Sequence, residues 1–303
     1  MTPFAERLTL AVQDKGPVCI GLDPHLHLLP AHFRERYAGL SGPAFRLAAA
    51  DAVQAWGLEV LQAIDGIAAA IKPQVAFFEQ LGAPGIAALE LLVAQAKAMD
   101  LLVVLDAKRG DIGSTAQGYC RATLDDTGPL GADSVTLSPY LGPESLRPFL
   151  DCCDDQGKGL FILVRTSNAE ADAIQGNGVA EKVAGWISAW NQSRSSSLGL
   201  GPVGAVVGAT VPSEAISLRA AMPQSWILVP GYGAQGGSAA DTLPCFRADG
   251  LGALVNSSRG VLFAQAGEEA RYQADHQALV HEHALAMAAE LKALKAPRAG
   301  AST

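Results

Sequence analysis

Excess positive charge is missing from this chain: 22 Lys and Arg face 30 Asp and Glu, for a net charge of -8 and a pI near 5.2. A general nucleic-acid binder needs a basic face, so that class is set aside. Long apolar runs are also missing. None reaches a membrane span, and the first residues, MTPFAERLTL, lack the apolar core of a signal peptide. Cysteine is scarce and unpatterned. Cys19, Cys120, Cys152, Cys153 and Cys245 contain no C-x-x-C, and adjacency disfavours a Cys152–Cys153 bridge. All five read as reduced structural thiols, which points to a cytoplasmic protein. The six histidines give no metal pattern: His281 and His283 lack the i, i+4 spacing that shares a helix face, and His25 and His27 sit where a site could be.

What is present is an alternation. Apolar runs at Val18–Leu22, 66–71, Leu101–Leu105, Ser134–Leu137, 159–164, Val203–Val207, 226–229 and 253–255 read as strands. Between them lie helical stretches, among them 3–15, 43–64, one to Met99 broken near Gly82 to Gly85, 179–192, 213–221 and 268–294. Eight alternations without a hairpin signal predict a single (β/α)8 barrel in one domain over residues 1–303, with a frayed tail from about 297. A doubly wound sheet is disfavoured because Asp23-Pro24-His25, rather than a glycine-rich turn, follows the first strand.

The polar residues fall on one side of that barrel. Asp23, Lys72, Asp106, Lys108, Ser138, Arg165 and Arg259 all lie at or just past carboxyl ends of expected strands, where barrels carry their sites. The central stretch is LLVVLDAKRGDIGSTAQGY, Leu101 to Tyr119. Alternation along a strand points Asp106 and Lys108 the same way, Gly110 lets the chain turn, and Ser114 and Thr115 are placed to cap the next helix. Lys72, Asp106, Lys108 and Asp111 could form an alternating charge array in which each lysine stays protonated. A protonated lysine beside a reacting carbon is a general acid, and a fixed carboxylate disfavours a substrate carboxylate. A structural ion-pair cluster fits the same residues. The segments Pro230 to Gly237 and Asn256 to Gly260 follow strands seven and eight, where barrels bind phosphate. Gly231 and Gly233 free backbone N–H groups for an anion, and Arg259 offers a planar fork.

These segments together resemble the orotidine 5'-phosphate decarboxylase family, in particular its bacterial group with the string DAKRGDIGSTA, here Asp106 to Ala116. The likeness extends to Gly21-Leu22-Asp23-Pro24, Ile71-Lys72-Pro73-Gln74, Leu137-Ser138-Pro139-Tyr140, Val164-Arg165-Thr166-Ser167-Asn168, the 230–235 loop and Ser258-Arg259-Gly260, about residues 18–262. It implies conversion of orotidine 5'-monophosphate to uridine 5'-monophosphate and carbon dioxide, with no metal and no organic cofactor. In that reading Lys108 gives a proton to C6, Asp106 sits by the departing carboxyl group, and Lys72 orders the array and meets the ribose with Asp23. Ser138 meets the pyrimidine amide, while Gln235 and Arg259 hold phosphate. Asp111 and Thr115 reach the other subunit's site, so the implied assembly is a homodimer. Ala169 stands where this group is expected to carry proline, which touches the 167–178 loop rather than the chemistry. Two other readings remain: a Mg-dependent sugar-phosphate decarboxylase or aldolase of the same superfamily, and a non-catalytic phosphate-binding barrel. The first is disfavoured by Lys72, which occupies the end of strand two where that branch is expected to carry an acid.

Overall fold

The computed structural model describes residues 2–233, 236–265 and 267–295. Eight parallel strands close into a barrel in chain order: β1 Val18–Leu22, β2 Ala70–Pro73, β3 Leu102–Arg109, β4 Ser134–Leu137, β5 Gly159–Arg165, β6 Val203–Val207, β7 Ile227–Val229 and β8 Ala253–Ser257. β8 pairs back onto β1 through Val18–Val255 and Cys19–Asn256, which completes the (β/α)8 barrel. The strands are apolar on both faces because helices cover the outside and side chains fill the inside.

Several details depart from the sequence expectation. β2 starts at Ala70 because the N–H groups of Ile67 and Ala68 still bond to Ile64 O, and Gly66 turns with φ 70°. β3 continues to Arg109, with a register shift against β4 between Leu105 and Arg109. The C-terminal helical stretch breaks at Asp275, dividing Glu269–Ala274 from His276–Lys295. Ser114 and Thr115 lie within the helix Gly113–Thr123 rather than capping it; its N-cap, Ile112, makes no side-chain cap bond. The expected frayed tail from 297 falls outside the described residues. All five cysteines are buried and free, and burial pushes the Cys19 and Cys245 thiols up to about 12. Among the described residues, no helix is long and apolar enough to cross a membrane.

One apolar cluster lies between strands and helices, and a second fills the lower barrel. The second is closed from below by the helix Phe4–Lys15, which inserts Phe4, Ala5, Leu8 and Val12 against Cys19, Leu102, Val104, Phe161 and Leu254. Phe4 meets Phe161 edge to face at 6.1 Å. Gly159 is required there, since a Cβ would stand 2.0 Å from the Phe4 ring.

Candidate active site

The inward face that is apolar at the bottom turns polar at the carboxyl ends. Residues two apart on β3 share a face, so Leu102 and Val104 are followed upward by Asp106 and Lys108. Ala70 is likewise followed by Lys72. There these residues open into a cavity of about 440 Å³. A larger recess of about 1140 Å³ lies at the opposite end, against Gly16, Pro17, Gly66 and Leu251, which precede strands. The buried pair Lys72 and Asp106, not size, distinguishes the smaller one.

Asp106 is its centre. Its Oδ2 accepts from Lys72 Nζ at 2.8 Å and Gln74 Nε2 at 3.0 Å. Its Oδ1 accepts from Lys108 Nζ at 2.5 Å and Thr136 Oγ1 at 2.8 Å. Burial opposes ionisation of this carboxyl, yet Lys72 and Lys108 outweigh it and hold its pKa well below the usual carboxylate range. Burial alone would lower the Lys72 pKa, but Asp106 and then Asp23 carry it above the ordinary value. Asp106 is thus a fixed negative charge with four donors, not a proton carrier.

Lys72 and Asp106 are buried, whereas the Lys108 side chain is 44% exposed and faces the cavity. It is the most exposed member of the trio. The Lys108 backbone has φ 46°, a left-handed conformation that costs a non-glycine residue about 1–3 kcal/mol. The Thr136 hydroxyl accepts the Lys108 N–H at 3.0 Å and helps to hold that conformation. One threonine therefore fixes both the carboxylate and the lysine backbone.

Across the cavity, β1 and β8 supply a different surface. Asp23 Oδ1, Asn256 Oδ1 and Ser258 Oγ are buried without a hydrogen-bond partner and line the cavity. Gly21 makes this possible, since a Cβ there would lie 2.8 Å from Ser258 Cβ. Arg259, exposed, and Gly231, with φ 97°, also line it. Their neighbour Gly233 sits in the same closed loop, its N–H bonded to Gly237 O at 2.8 Å, but is not part of the cavity wall. His25 is near, in edge contact with Phe77 at 4.5 Å, and burial lowers its pKa.

Of the residues singled out from sequence, Lys72, Asp106, Lys108, Asp23, Gly231 and Arg259 share this cavity. Gln235 lies outside the described residues. Asp111 does not complete the array within its own chain: its carboxylate accepts the Ile112 N–H at 2.8 Å on the outer rim. Thr115 is exposed on the following helix. Ser138 is not in the wall either. β4 ends one residue earlier, and Ser138 N–H bonds to Arg109 O at 2.8 Å, packing its backbone against Gly110. Gly110 is needed for that approach, since a Cβ would lie 3.0 Å from Ser138 O. Arg165 is spent on Glu214 and Asp172, at 2.7 and 3.1 Å, which ties the 167–178 loop to the barrel.

Sequence reasoning missed Gln74 and Thr136 as partners of Asp106, and the wall formed by Thr166, Ser167, Asn168 and Gln175. Gln74 carried a readable signal, two residues beyond Lys72 on the same face. Thr136 carried none, because threonine is an ordinary strand residue.

Comparison with known proteins identifies the family. The family model described as "Orotidine 5'-phosphate decarboxylase / HUMPS family" matches residues 16–274. The chain is 43% identical over 285 residues to orotidine 5'-phosphate decarboxylase of Rhodopirellula baltica, covering 91% of this chain and 93% of that one. It is also 43% identical over 272 residues to the Nocardioides enzyme of the same name, covering 88% and 93%. Among solved structures, Leishmania donovani OMP decarboxylase superposes with a TM-score of 0.74 at 32% identity, covering 97% of this chain and 99% of that one. The chain therefore belongs to the orotidine 5'-phosphate decarboxylase / HUMPS family.

Proposed function

We propose that this protein decarboxylates orotidine 5'-monophosphate to uridine 5'-monophosphate, in pyrimidine biosynthesis, with Lys108 as proton donor to C6. The observation that carries this reading is the Asp106 carboxylate clamped between Lys72 and Lys108 at the mouth of the barrel. Loss of carbon dioxide from an sp2 carbon leaves an electron pair with no adjacent carbonyl to accept it. A cation fixed at that carbon stabilises the pair and then quenches it by protonation. General acid catalysis supplies only ~10²–10⁴-fold, while enzymes lower barriers by roughly 8–23 kcal/mol. The balance comes from charge preorganised before the substrate arrives and from binding energy at the remote phosphate.

The cavity is partitioned to suit such a nucleotide. Arg259 with Gly231, Gly233 and Gln235 takes the phosphate, while the unpartnered Asp23 and Asn256 oxygens with Lys72 take ribose hydroxyls. Ser167 and Asn168, which line the cavity, are assigned to the base. Asp111 and Thr115 then serve the site of a second copy. Exposed Ile112, Tyr140 and Leu141, at 63, 77 and 50%, provide the apolar surface beside them for that contact.

The test is loss of orotidine 5'-monophosphate absorbance with EDTA-treated protein, beside Lys108→Ala. Metal-free turnover that the substitution abolishes supports the assignment; strict dependence on added Mg²⁺ moves it to the sugar-phosphate branch of the family. Mixing inactive Lys108→Ala with inactive Asp111→Ala protein restores turnover only if the sites are shared between subunits.

A further inference from the structure

On the outer wall, three elements bring metal-ligating side chains together. His32 comes from the short helix Ala31–Arg34, Glu59 from Gly42–Ile64, and His276 begins the last helix. One ring nitrogen of each histidine and one Glu59 oxygen lie within 4.8 Å of one another, the one such grouping of three among the described residues. His276 Nδ1 stands 3.3 Å from Glu59 Oε2. Ligand bonds of about 2.0–2.1 Å in a tetrahedron place neighbouring donors about 3.3–3.4 Å apart, so this pair already has the required spacing. The His32 and His276 rings are 6.2 Å apart, centroid to centroid.

The state of His276 also suits a ligand. It is 3% exposed, so its ring is held in place by the surrounding helices. Its Nδ1 faces Glu59, while its Nε2 is buried with no hydrogen-bond partner. Glu59 feels the opposing charges of Arg36, which disfavours a cation, and Asp275, which favours one. His32 is exposed, which leaves open the side from which an ion and its water would enter.

We propose that His32, Glu59 and His276 form a structural site for one divalent cation of the zinc class, with the fourth position left to water. Two imidazoles select zinc, nickel or copper over magnesium or calcium, which prefer oxygen donors. The ion would pin the segment after β1, which starts at Asp23, to the last helix. Tyr272 Oη donating to Leu28 O at 3.2 Å and Ala31 N–H donating to Gln273 Oε1 at 2.6 Å already join that segment to the preceding helix, Glu269–Ala274. The site lies outside the cavity and is independent of the decarboxylation reading.

Calorimetric titration of EDTA-stripped protein with zinc chloride at neutral pH tests it, with thermal unfolding followed in parallel. The expected result is one zinc per chain and a thermal midpoint that rises with zinc concentration. Both should be lost in His32→Ala, which alters an exposed side chain, and in Glu59→Gln. No zinc binding by the unaltered protein overturns the proposal. Equal binding by His32→Ala also overturns it, since the ion then resides elsewhere, as at His25 and His27.

Discussion

The lower and upper halves of the barrel interior use the same strands and the same inward face, yet opposite chemistry. Below, Cys19, Ala70, Leu102, Val104, Phe161 and Leu254 pack with the N-terminal helix and leave no charge. Above, the next inward positions carry Lys72, Asp106, Lys108, Thr136 and Asn256. Burying apolar surface stabilises by roughly 25 cal/mol per Å². Burying a charged pair such as Lys72 and Asp106 costs desolvation that its internal attraction only partly offsets, and an apolar replacement is often neutral or more stable. The lower half thus holds the barrel closed, and the upper half keeps a costly charge arrangement that stability alone does not explain.

Substitutions can break this division. The largest effect is expected for Lys72→Ala, which strips Asp106 of its buried partner. Stability should fall by about 3–5 kcal/mol in chemical denaturation, and turnover should collapse with it. Phe4→Ala in the lower half should cost a similar ~3–5 kcal/mol through the cavity it leaves. Yet turnover per folded molecule should be unchanged; a large drop in kcat would show that the two halves are coupled. Thr136→Val is smaller. It removes a hydroxyl bonded to a charged carboxylate, about 1.5–3 kcal/mol, and frees the Lys108 backbone, so kcat should fall more than KM rises.

The smallest effect near neutrality concerns pH, and its sign follows from the two shifted groups. Asp106 is held below its ordinary 3.8, so its contribution is present above that value and lost as pH falls through the depressed pKa. Lys72 is raised above its ordinary 10.5, so its contribution is complete below that value and lost as pH rises through the higher folded pKa. Between these limits the charged half should give no pH dependence. The stability difference between the native protein and Asp106→Asn should stay flat from about pH 5 to 9 and shrink only below 3.8. A difference that changes across neutrality would mean that another group titrates with the trio.

Local periodicity exposed much of this. Alternation along β3 put Asp106 and Lys108 on one face, and both stand in the cavity, 2.5 Å apart. Clustering of polar residues after strands marked the end of the barrel where the charged cavity opens. Other placements depend on neighbours across the sheet or on the path of the chain. Ser138 continues the alternation of Thr136 on paper, but the register shift between β3 and β4 draws it onto Arg109 and Gly110 instead. Asp111 leaves the array because the chain turns outward after the left-handed Lys108. Arg165, one of the polar residues past the strand ends, pairs with Glu214, 49 residues away.

The sequence by itself determined the alternation of strands and helices, the end of the barrel that carries charge and the pairing of Asp106 with Lys108. Each depends on residues near one another in the chain. Only the tertiary structure decided that Gln74 and Thr136 complete the hold on Asp106. It also decided that Asp23, Asn256 and Ser258 face the cavity unpartnered, and that His32, Glu59 and His276 meet. Those groups converge from separate strands and helices, and barrel closure sets their distances, which no local pattern encodes.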